Sequence, residues 1–412
     1  MLRSFAARLA RLGFILLALA LALPVLAVLA SWLQWTPQTL DLLREMASTV
    51  LPEYALTSLL LCLMVALGVV VLGLSCAALV TLFEFPGRGV LEWLLLLPLA
   101  MPAYVVAYAY TDFLQFGGPL QMALRGWLGL QGRLWPDVRT VWGAALVFTL
   151  ALYPYVYLLA RTALVERAAG LMEAARLLGA PLSRRIREIA FPLARPAVAA
   201  GVALALMETL ADFGVSSYFG IQTFTAGIYK AWLSMDNRMA AAQLATVLLA
   251  VVVVLLQLEQ RAQKRLRFHL GRGGRQGSAE AQPVRLRGGL CVLAWLVGGV
   301  PVLLGFALPV LILLHSMLAE VHALPWTLFA QWTLSSLRLG VVTAWLAVGV
   351  ALMLAFSARV RADAASRLTM SLVGLGYAIP GAVVVVGLLL PVGWLQQAWP
   401  GSAAGAWITA TS

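Results

Sequence analysis

Two carboxylates, Glu208 and Asp212, stand four residues apart in an otherwise apolar stretch. That spacing puts both on one helix face. A charged group deep in a membrane span costs about 2.5–3.5 kcal/mol on insertion scales, so such a pair is a candidate for drawing a cation toward a path. A second reading stays open, because Asp212 falls near the end of its span and the pair could simply be solvated or bonded to neighbouring helices. Asp112 poses the same question from an interfacial position. Pro102 and Pro380 each lie within an apolar run. A proline there removes an N–H and kinks the helix, which can open a pathway lining, or it is only a tolerated residue in a packed span. Pro98, four residues earlier, strengthens the expectation of a bend near Pro102. Metal and nucleophile chemistry find no constellation. Cys62, Cys76 and Cys291 sit in apolar runs without C-x-x-C spacing, and His269, His315 and His322 are remote from cysteines and acidic clusters.

A different chemistry, recognition, is written in the polar segment from Glu166 to Arg195. It contains Glu173-Ala174-Ala175-x3-Gly179-x9-Ile189-Ala190-Phe191-Pro192. Leu171, Ala174, Ala175 and Leu178 recur at three- and four-residue spacing, which predicts a short helix over 165–178. Gly179 suits the left-handed turn that ends a helix. Pro181 follows, and a second short helix over 182–190 runs to Pro192. Small residues on the first helix let a partner approach closely, so the pair reads as a docking device for another subunit.

The elements that hold these residues are membrane spans. The 412 residues are 62% hydrophobic and 11% charged, well below the quarter or so that covers a soluble domain. Uncharged runs of this length span a bilayer as helices, and they are too uniformly apolar for alternating barrel strands. Nine spans are expected, at 12–32, 54–82, 91–114, 140–163, 194–214, 239–261, 288–318, 334–357 and 370–395. The first follows Arg3, Arg8 and Arg11, but at about 19 residues it exceeds a signal-peptide core and reads as an uncleaved helix. Trp32, Trp35, Trp93, Trp142 and Trp232 fall near span ends as interfacial anchors. Placing the N-terminus in the cytosol puts 22 of the 29 Lys and Arg on the cytosolic side, as the positive-inside bias requires, and leaves the last residue outside. The net charge of +12 is thus spread through short loops, which excludes a nucleic-acid surface.

Ser58 precedes Pro102 by 44 residues, and Ser336 precedes Pro380 by 44, a parallel repeat at an offset of 278. It divides the chain into a first unit of six spans (1–262), a basic glycine-rich cytosolic linker (263–287) and three spans of a second unit (288–412). A complete second unit would bring the chain to about 540 residues.

The Glu173 segment resembles the EAA loop of ABC importer permeases, whose pattern is E-A-A-x3-G-x9-I-x-L-P; Phe191 stands where that family more often has Leu. Glu208-Thr209-Leu210-Ala211-Asp212-Phe213-Gly214, with Tyr218-Phe219-Gly220 and Ile228-Tyr229-Lys230-Ala231-Trp232, is similar to the ferric-iron uptake branch. Leu99-Ala100-Met101-Pro102-Ala103-Tyr104-Val105 is similar to it too. The resemblance implies an all-α, type I ABC importer permease-like fold with an incomplete second repeat, in a bacterial inner membrane. It implies a coupling helix carrying Glu173, Ala174, Ala175 and Gly179, with Ile189 and Pro192 behind it, for a pair of cytosolic ATPase subunits. A periplasmic binding protein would deliver the substrate, ferric iron first and thiamine, polyamines or sulfate as alternatives. The chain has no G-x-x-x-x-G-K-[ST] phosphate loop, so no cofactor is expected in it and ATP is expected in the partner. A secondary transporter is the rival; it calls for intramembrane ionisable groups and often inverted repeats. An intramembrane enzyme would need a cluster of catalytic side chains that the sequence does not show.

Overall fold

Inside a bilayer the backbone must satisfy its own hydrogen bonds, so an apolar run of span length becomes a helix. The computed structural model describes residues 2–33, 37–235, 237–268, 283–319, 325–360 and 379–398, with isolated positions between the last two. The first half holds α1 (Leu2–Ala30), α2 (Pro37–Ser48), α3 (Val50–Leu82), β1 (Phe83–Glu84), α4 (Arg88–Leu94), α5 (Ala103–Leu114), α6 (Pro119–Leu128) and α7 (Val141–Ala163). Next come α8 (Ala169–Leu177), α9 (Leu182–Arg185), α10 (Phe191–Ala211), α11 (Gly214–Phe219), α12 (Phe224–Tyr229) and α13 (Arg238–Phe268). The chain continues with β2 (Val284–Arg285), α14 (Gly289–Val302), α15 (Leu308–Ala319), α16 (Trp326–Val360) and α17 (Gly381–Ala398). Among the described residues seven helical stretches are long and apolar enough to cross a membrane, and an eighth counts if a bent pair is one span. The protein is a polytopic helical membrane protein.

Three expected spans take a different form. The third, 91–114, is broken: Arg88–Ala100 and Ala103–Leu128 meet at 88°. The break falls at Met101-Pro102, after a 3-10 turn over Leu97–Ala100 that contains Pro98. The fifth was expected at 194–214 behind a separate short helix, but one helical stretch runs from Leu182 to Ala211. Pro192 therefore does not end a helix. The wide turn Ile186–Ala190 precedes it, and the Phe191 amide donates to the Ile186 carbonyl five residues back. A register of five absorbs the proline, whose ring and missing N–H disrupt a register of four. The ninth span shows only Gly381–Ala398, and most of 370–378 lies outside the described residues. Pro380 consequently stands just before a helix and not within one. Pro102 does the same before α5, so the two repeat positions share one local structure.

Cα proximity divides the chain into two units, one of Met1–Gln34, His315–Ile379 and Val383–Ser412, the other of Trp35–Leu314 and Pro380–Ala382. In the first, Gly387 of α17 lies against the backbone of Pro24 in α1, and α16 exposes almost its whole length. In the second, α7 is the centre. It packs along α3 and α10, and α10 packs along α13. Tyr153, Tyr157 and Phe148 of α7 are fully buried. Glycines set these approaches. A Cβ on Gly73 would lie 2.7 Å from Val156 Cβ and 2.8 Å from the Tyr153 carbonyl, so only glycine admits this closeness.

The 263–287 stretch is partly built into this unit. α13 continues to Phe268, and β2 pairs in parallel with β1, Phe83 opposite Val284 and Glu84 opposite Arg285. The Leu286 amide donates to the Glu84 carbonyl at 2.9 Å. Trp295 of α14 donates through Nε1 to the Pro86 carbonyl at 3.0 Å.

Gly73→Ala should lower the thermal unfolding temperature of the detergent-purified protein, as overpacking costs about 1–3 kcal/mol. Gly89→Ala, where a Cβ would meet nothing within 4 Å, should not lower it. Equal behaviour of the two variants would refute the close-packing account.

Candidate functional site

The docking segment is held by helices at both ends. α7 passes through a wide turn, Leu164–Ala168, into α8, which carries Glu173, Ala174 and Ala175. α8 then closes with a pair of hydrogen bonds: Gly179 N–H to the Arg176 carbonyl at 2.9 Å, and Ala180 N–H to the Ala175 carbonyl at 3.0 Å. This pairing requires a left-handed residue at Gly179, whose φ is +81°. Pro181, extended, starts α9. The two short helices form a hairpin with a cleft of about 340 Å³ lined by Ala175, Leu178, Gly179, Arg184, Arg185 and Ile189, among others.

The hairpin shows its apolar side to the surroundings. Among the described side chains of α8 Met172 is the buried one, whereas Leu171 is 54% and Leu177 81% exposed, as is Leu178 after it at 88%. Ala174 is exposed, and Glu173 and Ala175 are half-buried. Glu173 pairs with Arg176 at 3.6 Å and Arg184 with Glu188 at 3.0 Å, both within single helical turns. Arg185 donates through Nη1 to the Met172 carbonyl at 3.4 Å, tying α9 to α8. Ile189 is half-buried and packs on the core of the bundle, and Pro192 is exposed at the start of α10. The structure thus gathers Ala175, Gly179 and Ile189 around one cleft, with Glu173 and Ala174 on the adjoining face.

An ion network stands at the foot of α7 that the sequence reading passed over. Arg161 reaches Glu92 at 2.7 Å; Arg88 bridges Glu92 at 3.2 Å and Glu84 at 2.7 Å. Tyr157 donates its hydroxyl to the Glu92 carbonyl at 3.1 Å. The signal was present: Glu92 and Arg161 are opposite charges at the same end of two expected spans. The network joins β1, α4 and α7 immediately before the chain turns into α8.

The pathway candidates are placed differently. α10 ends at Ala211, so Asp212 leaves the face that Glu208 occupies. Asp212 Oδ1 instead accepts from the Val215 amide at 2.7 Å and caps α11. Glu208 is half-buried one turn earlier. Residues following Pro102 and Asp212 meet: Tyr104, Val105, Tyr108, Phe213, Gly214, Ser217 and Tyr218 line a cavity of about 360 Å³. The short helices α11 and α12 of this region had no counterpart in the sequence reading, which ran one span to 214.

Residues 69–267 match the family described as binding-protein-dependent transport system inner membrane component. The match covers 199 of the 412 residues, just under half of the chain, and is a likeness to that family. An Fe(3+)-transport system permease protein of Haemophilus influenzae is 27% identical over 223 residues, 54% of this chain and 40% of that protein. The molybdenum transport system permease protein of Escherichia coli strain K12 is 27% identical over 209 residues, 48% of this chain and 88% of that one. The sulfate transport system permease protein of Salmonella typhimurium is 27% identical over 252 residues, 59% and 86% of the two chains. The chain therefore spans less than half of the iron-transport relative and most of the other two. The docking hairpin and the Tyr104–Tyr218 cavity both fall on residues between 69 and 267.

Gly179→Ala adds no steric contact, since nothing lies within 4 Å of its Cβ position, so its effect isolates the backbone. A left-handed alanine costs about 1–2 kcal/mol. Hydrogen exchange at the Gly179 and Ala180 amides should speed several-fold, with Gly179→Asn falling between. Unaltered exchange would refute the capping role.

Proposed function

We propose that this protein is the membrane permease of an ATP-binding-cassette importer, with α8 as the helix that docks on a separate ATPase subunit. The carrying observation is the exposed Leu177-Leu178 tip on a hairpin continuous with α7 and α10. A hydrophobic tip of that kind suits a groove on a partner, and its flanking helices transmit a push into the spans. ATP binds and is hydrolysed in the partner. This chain supplies no catalytic group, and its own step is a change between outward- and inward-open arrangements. A binding protein delivers the substrate to the face opposite α8, and the N-terminus lies on the α8 side, in the cytosol. Two ATPases acting together are the arrangement that the resemblance implies.

Iron is the cargo we favour, carried as the ferric ion. Its support is the likeness of residues 208–232 to the ferric branch and the iron-transport relative. Glu208 and Asp212 add an electrostatic reason, because carboxylates near a pathway mouth favour a cation over a dianion. Molybdate and sulfate are the second reading, supported by the relatives of those names.

Copurification tests the docking. An ATPase encoded with this permease should be retained on the tagged wild-type chain and lost with Leu177→Asp/Leu178→Asp, while the variant remains in the membrane fraction. Retention by the double variant would overturn the role of the tip. For the cargo, a deletion strain complemented by this gene should regain uptake of radiolabelled iron and not of molybdate or sulfate. Glu208→Gln/Asp212→Asn should slow that uptake several-fold and leave ATPase retention intact; unchanged uptake removes the carboxylates from the pathway.

A further inference from the structure

The segment between α5 and α7 holds an amphipathic helix turned the wrong way round for water. α6 has two strongly polar side chains, Gln121 and Arg125, and both face the protein. Gln121 is 2% exposed; its Nε2 donates to the Leu114 carbonyl at 3.0 Å and its Oε1 accepts from the Leu134 amide at 3.4 Å. Arg125 donates to the Gln121 carbonyl at 3.2 Å and the Phe116 carbonyl at 2.7 Å, with its guanidinium 4.1 Å from the Phe116 ring centre. The opposite face is Pro119, Met122, Ala123, Gly126 and Trp127, all exposed, with Trp127 at 86% and Met122 at 54%. A surface helix in water turns its polar groups outward and its apolar stripe inward. Here both are reversed, so the medium outside α6 is apolar.

We propose that α6 lies in the membrane interface, its Met122–Trp127 face in the acyl–headgroup boundary at the end of the bundle opposite α8. Three observations select lipid over a protein partner. α6 precedes α7, whose membrane-length stretch starts at Val141, so the chain passes from α6 into the end of a span. Its exposed face has a counterpart at the start of α7, where Trp142 and Leu146 are 41% and 43% exposed, and tryptophan favours that depth. The charged residues Arg133, Asp137 and Arg139 come only after α6, on an exposed loop. The helix would fix where the Tyr104–Tyr218 cavity stands relative to the membrane surface, since α5 carries Tyr104 and Tyr108 and continues toward α6.

The test is collision accessibility of a nitroxide on Met122→Cys and, separately, Trp127→Cys. The background is Cys62→Ala, Cys76→Ala and Cys291→Ala, reconstituted in lipid vesicles without partners. Arg133→Cys serves as the aqueous reference and Leu146→Cys as the lipid reference. Oxygen collisions should exceed nickel-chelate collisions several-fold over the Arg133 reference, approaching the Leu146 value. Nickel accessibility equal to the Arg133 reference would place the face in water and overturn the proposal. Low collision with both reagents would place it against protein, a second copy or another subunit, and overturn it equally. Should the cysteine-free background fail to fold, a benzoylphenylalanine at position 127 in the natural background answers the same question: adducts to lipid support the proposal, and adducts to protein alone defeat it.

Discussion

Every backbone N–H and C=O inside a bilayer has to find a partner within the protein, and this chain meets that demand while carrying prolines in several of its spans. The wide turns show how. At Leu303–Ala307 the Leu308 amide donates to the Leu303 carbonyl, so the next residue in that register, Pro309, would have been the donor to the Leu304 carbonyl. Proline cannot donate, and the Tyr110 hydroxyl from α5 fills the place. At Ile186–Ala190 the same register precedes Pro192, with exposed residues around it. Before Pro192 and Pro309 the helix widens to a register of five, with a side-chain donor at the Leu304 carbonyl, whereas Pro24, Pro154, Pro196 and Pro391 stand inside α-helix. The alternative solution is seen at Pro102, where the helix stops and restarts at an angle.

These devices decide how stiff the route from the docking hairpin to the bundle is. α8 is separated from α7 by one wide turn and α9 from α10 by another, with no loop on either side except the four-residue reversal at Gly179. A displacement of the Leu177-Leu178 tip has little slack in which to dissipate before it reaches α7 and α10. α7 meets α3 at Gly73 and α10 at Gly201, where an added Cβ would lie 2.7 Å from Val156 in each case, so neither neighbour slides along α7 without repacking. The ion network at Glu92 adds a second restraint at the foot of α7, coupling it to α4 and thereby to the segment that breaks at Pro102.

What could be read from the sequence was local and chemical. Gly179 was legible because only one backbone conformation explains a glycine between Leu178 and Pro181. The bend near Pro102 was legible from two prolines one turn apart. The 44-residue spacing of Ser58 with Pro102 and of Ser336 with Pro380 was legible, and both prolines stand just before a helix. The continuity of Leu182–Ala211 was not, because a proline reads as a stop unless the wide turn before it is known. α11 and α12 escaped because each is only six residues long, too short for a helical period to show between the expected spans at 194–214 and 239–261. The Glu92–Arg161 pair escaped because its partners are 69 residues apart and each, alone, reads as a charge at a span end. The inverted face of α6 could not be assigned from its sequence, since a helical pattern shows which residues share a side but not which side the rest of the protein occupies.

The two-residue pairing of β1 with β2 has a consequence for how this chain tolerates change. α13 is described to Phe268 and β2 begins at Val284, and both belong to the same unit, so the two ends of the intervening connector are fixed. The length of such a loop enters stability only through a logarithm, about 0.6 kcal/mol for each doubling. The register of α14 against the 83–87 turn is set by backbone and Trp295 hydrogen bonds, independent of that length. Drift in the size and composition of this connector is therefore nearly neutral. A tag or a whole foreign domain spliced into it would ride on the protein without shifting α14.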